Sequence, residues 1–224
     1  MTFRVRRAAV LMVASLILAA CAGSENREKP ISNRVIEIAQ AQRAAKKIKG
    51  QPQAALQITR AQVDATEFSL IRITNDTSGS VATAGLVEIN RGTQSYILAT
   101  SQAIYLKGGF VTGTRGLGVD LMSAAVPSTV SAAVKAGSYT RVHRYLTADN
   151  KLVPFSYACT MVLGPATKII QLERSYNVRI AQENCSGDGV SFSNSYAMAA
   201  NGQVWQSSQW IGPEAGKLKI EQLK

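Results

Sequence analysis

Val190-Ser-Phe-Ser-Asn-Ser-Tyr-Ala-Met198, the connection Ala199-Ala-Asn-Gly202 and the run Gln203-Val-Trp-Gln-Ser-Ser-Gln209 decide the fold class. Val190, Phe192, Asn194, Tyr196 and Met198 alternate with Ser191, Ser193, Ser195 and Ala197, and residues two apart share one face of a β-strand. One face is therefore buried and the other wet. Asn201-Gly202 tolerates the positive φ of a type I′ turn, so residues 203–209 are expected to pair back as a hairpin.

Working outward, the same period of two, broken by turn residues, predicts strands at 55–61, 67–74, 82–90, 94–100, 103–106, 139–147, 155–163, 167–172, 177–182 and 217–223. The domain is expected to be mainly β, an antiparallel sheet forming a sandwich or an open barrel. Two helices are expected beside it. Val35, Ile38, Ala41, Ala45 and Ile48 recur at helical spacing from Ser32 or Asn33, with Glu37 early and Arg43, Lys46, Lys47 and Lys49 late, as the helix dipole favours. Gly50 and Pro52 end this amphipathic helix. A short mid-chain helix fits Pro127 to Ala136, with Ser128 or Ser131 as cap and Gly137 as stop.

The amino terminus is of a different kind. Arg4, Arg6 and Arg7 precede an apolar run, Ala8 to Ala20, too short to span a bilayer as a stable helix, so residues 1–20 read as a signal peptide. The run ends in Leu18-Ala-Ala-Cys21, which resembles the lipobox of bacterial lipoproteins. That resemblance implies cleavage before Cys21 and a lipid on its sulfur, with the two or more acyl chains that stable anchoring takes. Ala22 stands where Asp would signal inner-membrane retention in enteric bacteria, so the sorting rule favours the outer membrane, at its periplasmic face. Residues 21–30 are polar and read as a flexible tether, leaving 31–224 as a single domain.

The mature chain keeps 204 of 224 residues, enough to bury a full core. Of the 25 basic residues three leave with the signal, so 22 face 14 acids, a balance of +8 that favours anionic neighbours such as lipid headgroups or acidic polysaccharide. The exported compartment disfavours nucleic acid. With Cys21 lipidated, Cys159 and Cys185 remain as an even pair, expected to form a disulfide. A metal site lacks ligands: His143 is the sole histidine, and no CxxC or HxxxH spacing occurs. No cofactor is expected.

Two further segments carry a family resemblance. Phe110-Val-Thr-Gly-Thr-Arg-Gly-Leu-Gly-Val-Asp-Leu121, and Ser193-Asn-Ser-Tyr196 followed by Gly202-Gln-Val-Trp-Gln-Ser-Ser-Gln-Trp-Ile-Gly-Pro213, resemble the YjbF/GfcB lipoproteins. The likeness runs from the lipobox to the last residues, and Gln209-Trp-Ile-Gly-Pro213 is its most specific part. The Cys159/Cys185 pair and the chain before residue 105 depart from the enteric members. That family is associated with operons for group 4 capsule and other exopolysaccharides, so the resemblance implies a part in secreting or assembling such a polymer. It implies no molecular activity.

The residues themselves allow a structural and a binding reading. Gly116 and Gly118 around Leu117 permit a tight bend, whose exposed amides Asp120 can cap; GxGxxG is absent, which argues against nucleotide binding. Trp205 and Trp210 are five apart and point to opposite faces of a regular strand, so one is expected in the core and the other is free to stack on a sugar ring. Tyr139, Arg141, His143 and Tyr145 share a face by period two, a candidate basic and aromatic patch for an anionic glycan, though such a stripe can equally cover a sheet. No paired carboxylates and no GxSxG elbow announce an enzyme. The expected function is non-enzymatic support of exopolysaccharide export, by binding glycan or a secretion partner; a polysaccharide-trimming enzyme and a purely structural envelope lipoprotein are the rivals.

Overall fold

The computed structural model describes residues 58–126, 136–147 and 149–224. The lipobox, the tether, the expected amphipathic helix and all but Ala136 of the expected mid-chain helix lie outside these residues. A short helix, α1 (Arg60–Asp64), opens the described chain where sequence alternation predicts a strand at 55–61. Its signal is local: Thr59 accepts from the Gln62 amide while the Gln62 side chain accepts from the Thr59 amide, a reciprocal capping box.

Twelve strands follow: β1 (Leu70–Asn75), β2 (Val81–Asn90), β3 (Thr93–Leu98), β4 (Ala103–Lys107), β5 (Phe110–Arg115), β6 (Leu121–Ala125), β7 (Gly137–Leu146), β8 (Leu152–Gln171), β9 (Arg174–Gly187), β10 (Val190–Met198), β11 (Val204–Gly212) and β12 (Gly216–Gln222). They form one antiparallel sheet in the order β5-β4-β3-β2-β1-β12-β11-β10-β9-β8-β7-β6. Chain neighbours are sheet neighbours except at β5 and β6, the two ends of the order, and β12 returns to pair with β1. The ends come back together: the Leu121 amide donates to Thr114 Oγ1 at 3.0 Å, and a methyl group built on Gly113 would lie 3.3 Å from the Leu121 carbonyl. The sheet is thus a nearly closed barrel rather than a sandwich.

Three strand expectations change. The segments predicted at 155–163 and 167–172 are one strand, β8, which carries Pro165 through a register shift between Leu163 and Ala166, where the ladder is relieved. β9 extends the 177–182 prediction at both ends. β5 and β6 lie within the glycine-rich motif, where turn residues mask the alternation. The 198–204 hairpin exists, but its loop is longer than a type I′ turn. Ala199 and Gln203 are bonded across it, and Gly202 alone takes a positive φ, 85°.

Inward positions carry the core: Ile71, Ile73, Tyr96, Ile104, Val111, Leu121, Leu218 and Ile220 form its largest cluster. Outward positions of β7–β9 are mostly exposed and polar, including Ser138, Thr140, Thr160, Lys168, Asn184 and Ser186, with Val162 and Ile170 of β8 as exposed apolar exceptions. The two ends differ. The entry end holds α1, the turns at 91–92, 108–109, 172–173 and 200–202, and the carboxyl terminus, while the far end holds the turns between β1 and β2, β3 and β4, β5 and β6, β7 and β8, β9 and β10, and β11 and β12. Arg60 ties the entry end together, donating to the carbonyls of Gln171, Leu172 and Leu223.

Candidate functional site

The stripe Tyr139, Arg141, His143 and Tyr145 lies on one face of β7, and that face is the inside of the barrel. Arg141 is 1 % exposed and His143 0 %. As a surface patch for glycan the stripe is therefore excluded; it forms one side of a buried polar circuit. Arg141 Nη1 donates to both oxygens of Glu183 on β9, at 3.0 and 2.9 Å, and its Nε donates to His143 Nε2 at 2.9 Å. His143 Nδ1 then lies 3.0 Å from the Tyr145 hydroxyl, which donates to the Ile211 carbonyl at 2.8 Å. With Nε2 accepting and the tyrosine proton committed to Ile211, the imidazole carries its proton on Nδ1. On the other side Glu183 accepts from Tyr139, from Asn194 at 2.6 Å and from Tyr196 at 2.8 Å, and Asn194 Oδ1 accepts from the Trp210 amide at 2.6 Å. The circuit leaves β11 at the Trp210 amide and returns to it at the next carbonyl.

Burial pushes the Glu183 carboxyl up, but the Arg141 charge and the bonds from Tyr139, Asn194 and Tyr196 outweigh it and hold the group below the usual carboxylate range. Burial opposes the Arg141 charge as well, and Tyr196 and Glu183 more than offset it. His143 is pushed down to about 3 by burial and then by Arg141, so it stays neutral. A locked, neutral imidazole and a carboxylate saturated with donors have no free position for a substrate. Sequence reasoning missed Glu183. The signal was present: Glu183 alternates with Ala181 and Cys185 on an inward face, as Arg141 does with His143, and two opposite charges in inward registers call for each other.

Trp210 is half-buried. The β10–β11 ladder ends at Ser195 and Ser208, and beyond it the indole packs against Phe192 (centroids 4.4 Å apart) and His143 (5.7 Å). Trp205, also half-buried, stacks on Tyr176 at 3.9 Å. The expected split into one core and one exposed indole does not occur, because register shifts at both ends of β11 break the regular alternation. Cys159 and Cys185 are cross-strand partners joined by a disulfide. Glu183 lies close to them, but both sulfurs are consumed by the bond, so the trio offers no thiolate pair to a metal.

The motif glycines form a turn. Asp120 accepts from the Gly116 amide at 2.6 Å and from the Leu117 amide and Thr114 hydroxyl at 3.0 Å, and Gly116 adopts a positive φ of 77°. Gly118 at φ 105° completes the bend joining β5 to β6. Gln209 reaches across the interior, accepting from the Val111 amide at 2.9 Å and donating to the Gly109 carbonyl at 2.8 Å. One side-chain amide thus occupies the edge of β5 as a neighbouring strand would. Beyond it, Ile211 is buried, Gly212 approaches the Tyr145 ring, and Pro213 begins the exposed turn to β12.

Two concavities among the described residues bear on binding. A cavity of about 210 Å³ at the entry end is lined by Gln94, Gln203, Trp205, Ser207 and Gln222. A broader groove of about 950 Å³ lies across the outer face of β7–β10. Register places Thr140, Ala158, Ser186 and Ser191 in one row across it and Ser138, Thr160, Asn184 and Ser193 in the next. Every one of these eight is uncharged, and all but the half-buried Ser193 are exposed.

No curated protein matches this chain. Among solved structures it is similar to the hypothetical lipoprotein YmcC from Escherichia coli (K12), with a TM-score of 0.71 at 15% identity over 88% of this chain and 97% of that one, a likeness of fold. Residues 33–223 match the family described as group 4 capsule polysaccharide lipoprotein gfcB, YjbF, a span that takes in every described strand, the Asp120-capped turn and the Gln209–Pro213 segment. The chain belongs to the YjbF/GfcB family of group 4 capsule polysaccharide lipoproteins.

Proposed function

We propose that the protein supports secretion or assembly of a capsule-type exopolysaccharide without catalysis, binding the glycan along the outer groove of β7–β10 while a lipid on Cys21 holds it at the periplasmic face of the outer membrane. The groove carries the reading. Its rows of small side chains, mostly hydroxyls and spaced by the roughly 4.8 Å between strands, present donors and acceptors together, with the Lys217 ammonium donating to Ser193 at one edge, a match for a polymer rich in hydroxyl groups. Such contacts are individually weak, and a long polymer engages many at once. The sealed state of Glu183 and His143 supports a binding role over cleavage, since the groups with the most perturbed chemistry face away from solvent.

Titration of the purified protein with the polysaccharide of its own strain, followed by sizing of the polymer, tests this. Saturable binding with unchanged chain length is expected, and the double variant Thr160→Glu, Asn184→Glu is expected to weaken it at least tenfold by placing carboxylates in the groove. Shortened chains would replace the reading with an enzymatic one. Absence of binding would leave a partner protein of the secretion machinery as the ligand.

A further inference from the structure

We infer that the entry end of the barrel is a membrane-contact surface that rests on anionic phospholipid. This goes beyond the groove, which lies on the barrel's side. Three observations converge. First, the most exposed large apolar side chains sit here: Ile170, 80 % exposed, near the β8–β9 turn, and Ile89, 60 % exposed, near the β2–β3 turn. Half-buried Trp205 is on the same end, an amphipathic ring suited to a headgroup layer. Isolated apolar residues on projecting hairpins gain nothing in water, whereas a lipid interface buries them.

Second, charge is divided between the ends. Arg91, Lys107, Lys168, Arg174 and Lys224 surround the apolar tips. The acids there are Asp64, which is paired with Arg60 and Arg174, together with Glu67, Glu88 and Glu173. At the far end five of the six turns carry an acid, Asp76, Asp120, Asp149, Asp188 and Glu214, and these stand beside Arg115, Arg144, Lys217 and Lys151, the last paired with Asp149, so that end is close to neutral. The far end also exposes Leu146 and Leu152, but they are cross-strand partners of each other beside Asp149. An anionic surface attracts the first end more than the second.

Third, the chain enters here. Ile58 and α1 pack at this end, against Leu70, Leu172 and Leu223, and the sequence leading in from Cys21 carries Arg43, Lys46, Lys47 and Lys49. The described chain thus begins at the basic, apolar-tipped end.

The two tryptophans serve as depth probes, Trp205 at the entry end and Trp210 in the far half. The lipidated protein, as Trp210→Phe or Trp205→Phe, is reconstituted into vesicles of phosphatidylethanolamine and phosphatidylglycerol with brominated acyl chains. Trp205 fluorescence is expected to fall at least twofold and Trp210 fluorescence to stay unchanged. The Trp205 quenching is expected to disappear in phosphatidylcholine vesicles, in Lys107→Glu, Lys168→Glu protein, and near 1 M salt, where the screening length is about 3 Å. Equal quenching of both rings, or of neither while the protein still floats with vesicles, overturns the inference. Quenching abolished by the strain's polysaccharide assigns the entry end to an acidic glycan and overturns it too. Failure to float with neutral vesicles counts against the lipid on Cys21, a separate result.

Discussion

Arg141 is the residue on which the interior depends, because removing it leaves the Glu183 carboxylate buried with no countercharge. Breaking a buried pair from one side costs about 3–5 kcal/mol. Arg141→Met is expected to lose that much stability in denaturant titration at neutral pH, and Arg141→Met with Glu183→Gln is expected to recover part of it. His143 sets the acid response. Its folded pKa, about 3, lies below the ordinary 6.5, so between those values the unfolded chain binds the extra proton and stability rises with pH. The contribution is complete above pH 6.5 and declines on acidification by on the order of 1 kcal/mol per pH unit until the folded value is reached. Glu183, also depressed, loses its contribution on the same side, below the ordinary carboxylate pKa. Unfolding free energy measured from pH 7 to 5 is expected to fall in the native protein and to stay flatter in His143→Gln. An acid limb unchanged by that substitution would assign the dependence to other groups.

At the scale of elements, the barrel's ends are joined by side chains. Gln209→Leu takes the partner from the Val111 amide and the Gly109 carbonyl together, and is expected to cost about 1–3 kcal/mol and to raise aggregation by uncovering the β5 edge. Thermal unfolding and light scattering read the two effects. The disulfide pins β8 to β9, and replacing both Cys159 and Cys185 with alanine is expected to lower stability by about 3 kcal/mol, from the loop-closure entropy returned to the unfolded chain. Much of this level is legible in the sequence. The clean alternation of Val190 to Met198 gives β10 and its partner, and the Gly116/Asp120 spacing gives the turn. What hides is whatever alternation does not mark: β5 and β6 are short and set among glycines, Pro165 splits β8 on paper though a bulge accommodates it, and the Thr59/Gln62 capping box overrides the strand-like run before it.

For the whole molecule, the sequence shows which residues share a face but not which face turns inward. Tyr139 to Tyr145 read equally as a patch and as a core stripe until closure of the sheet selects the latter. The groove was illegible for a related reason: its serines and threonines come from four strands and align only through register. The anchor, by contrast, is a matter of local sequence. Cys21→Ser is expected to move the protein from the membrane to the soluble fraction with its melting temperature unchanged, since Cys21 precedes Val63, the first buried residue among those described, by 42 positions; a variant still sedimenting with membranes would show that lipid is not what holds it.

The junction of β5 and β6 differs in kind from the rest of the ring. Every other junction among the described strands is fixed by a backbone ladder, whereas this one is fastened by Thr114 and Arg115, which bond Leu121, and by the Asp120-capped turn. A barrel's shear is set by its ladders, and here one junction has none to set it. Parting these two strands therefore costs a few side-chain bonds and no ladder, and the covalent turn capped by Asp120 keeps them hinged at the far end.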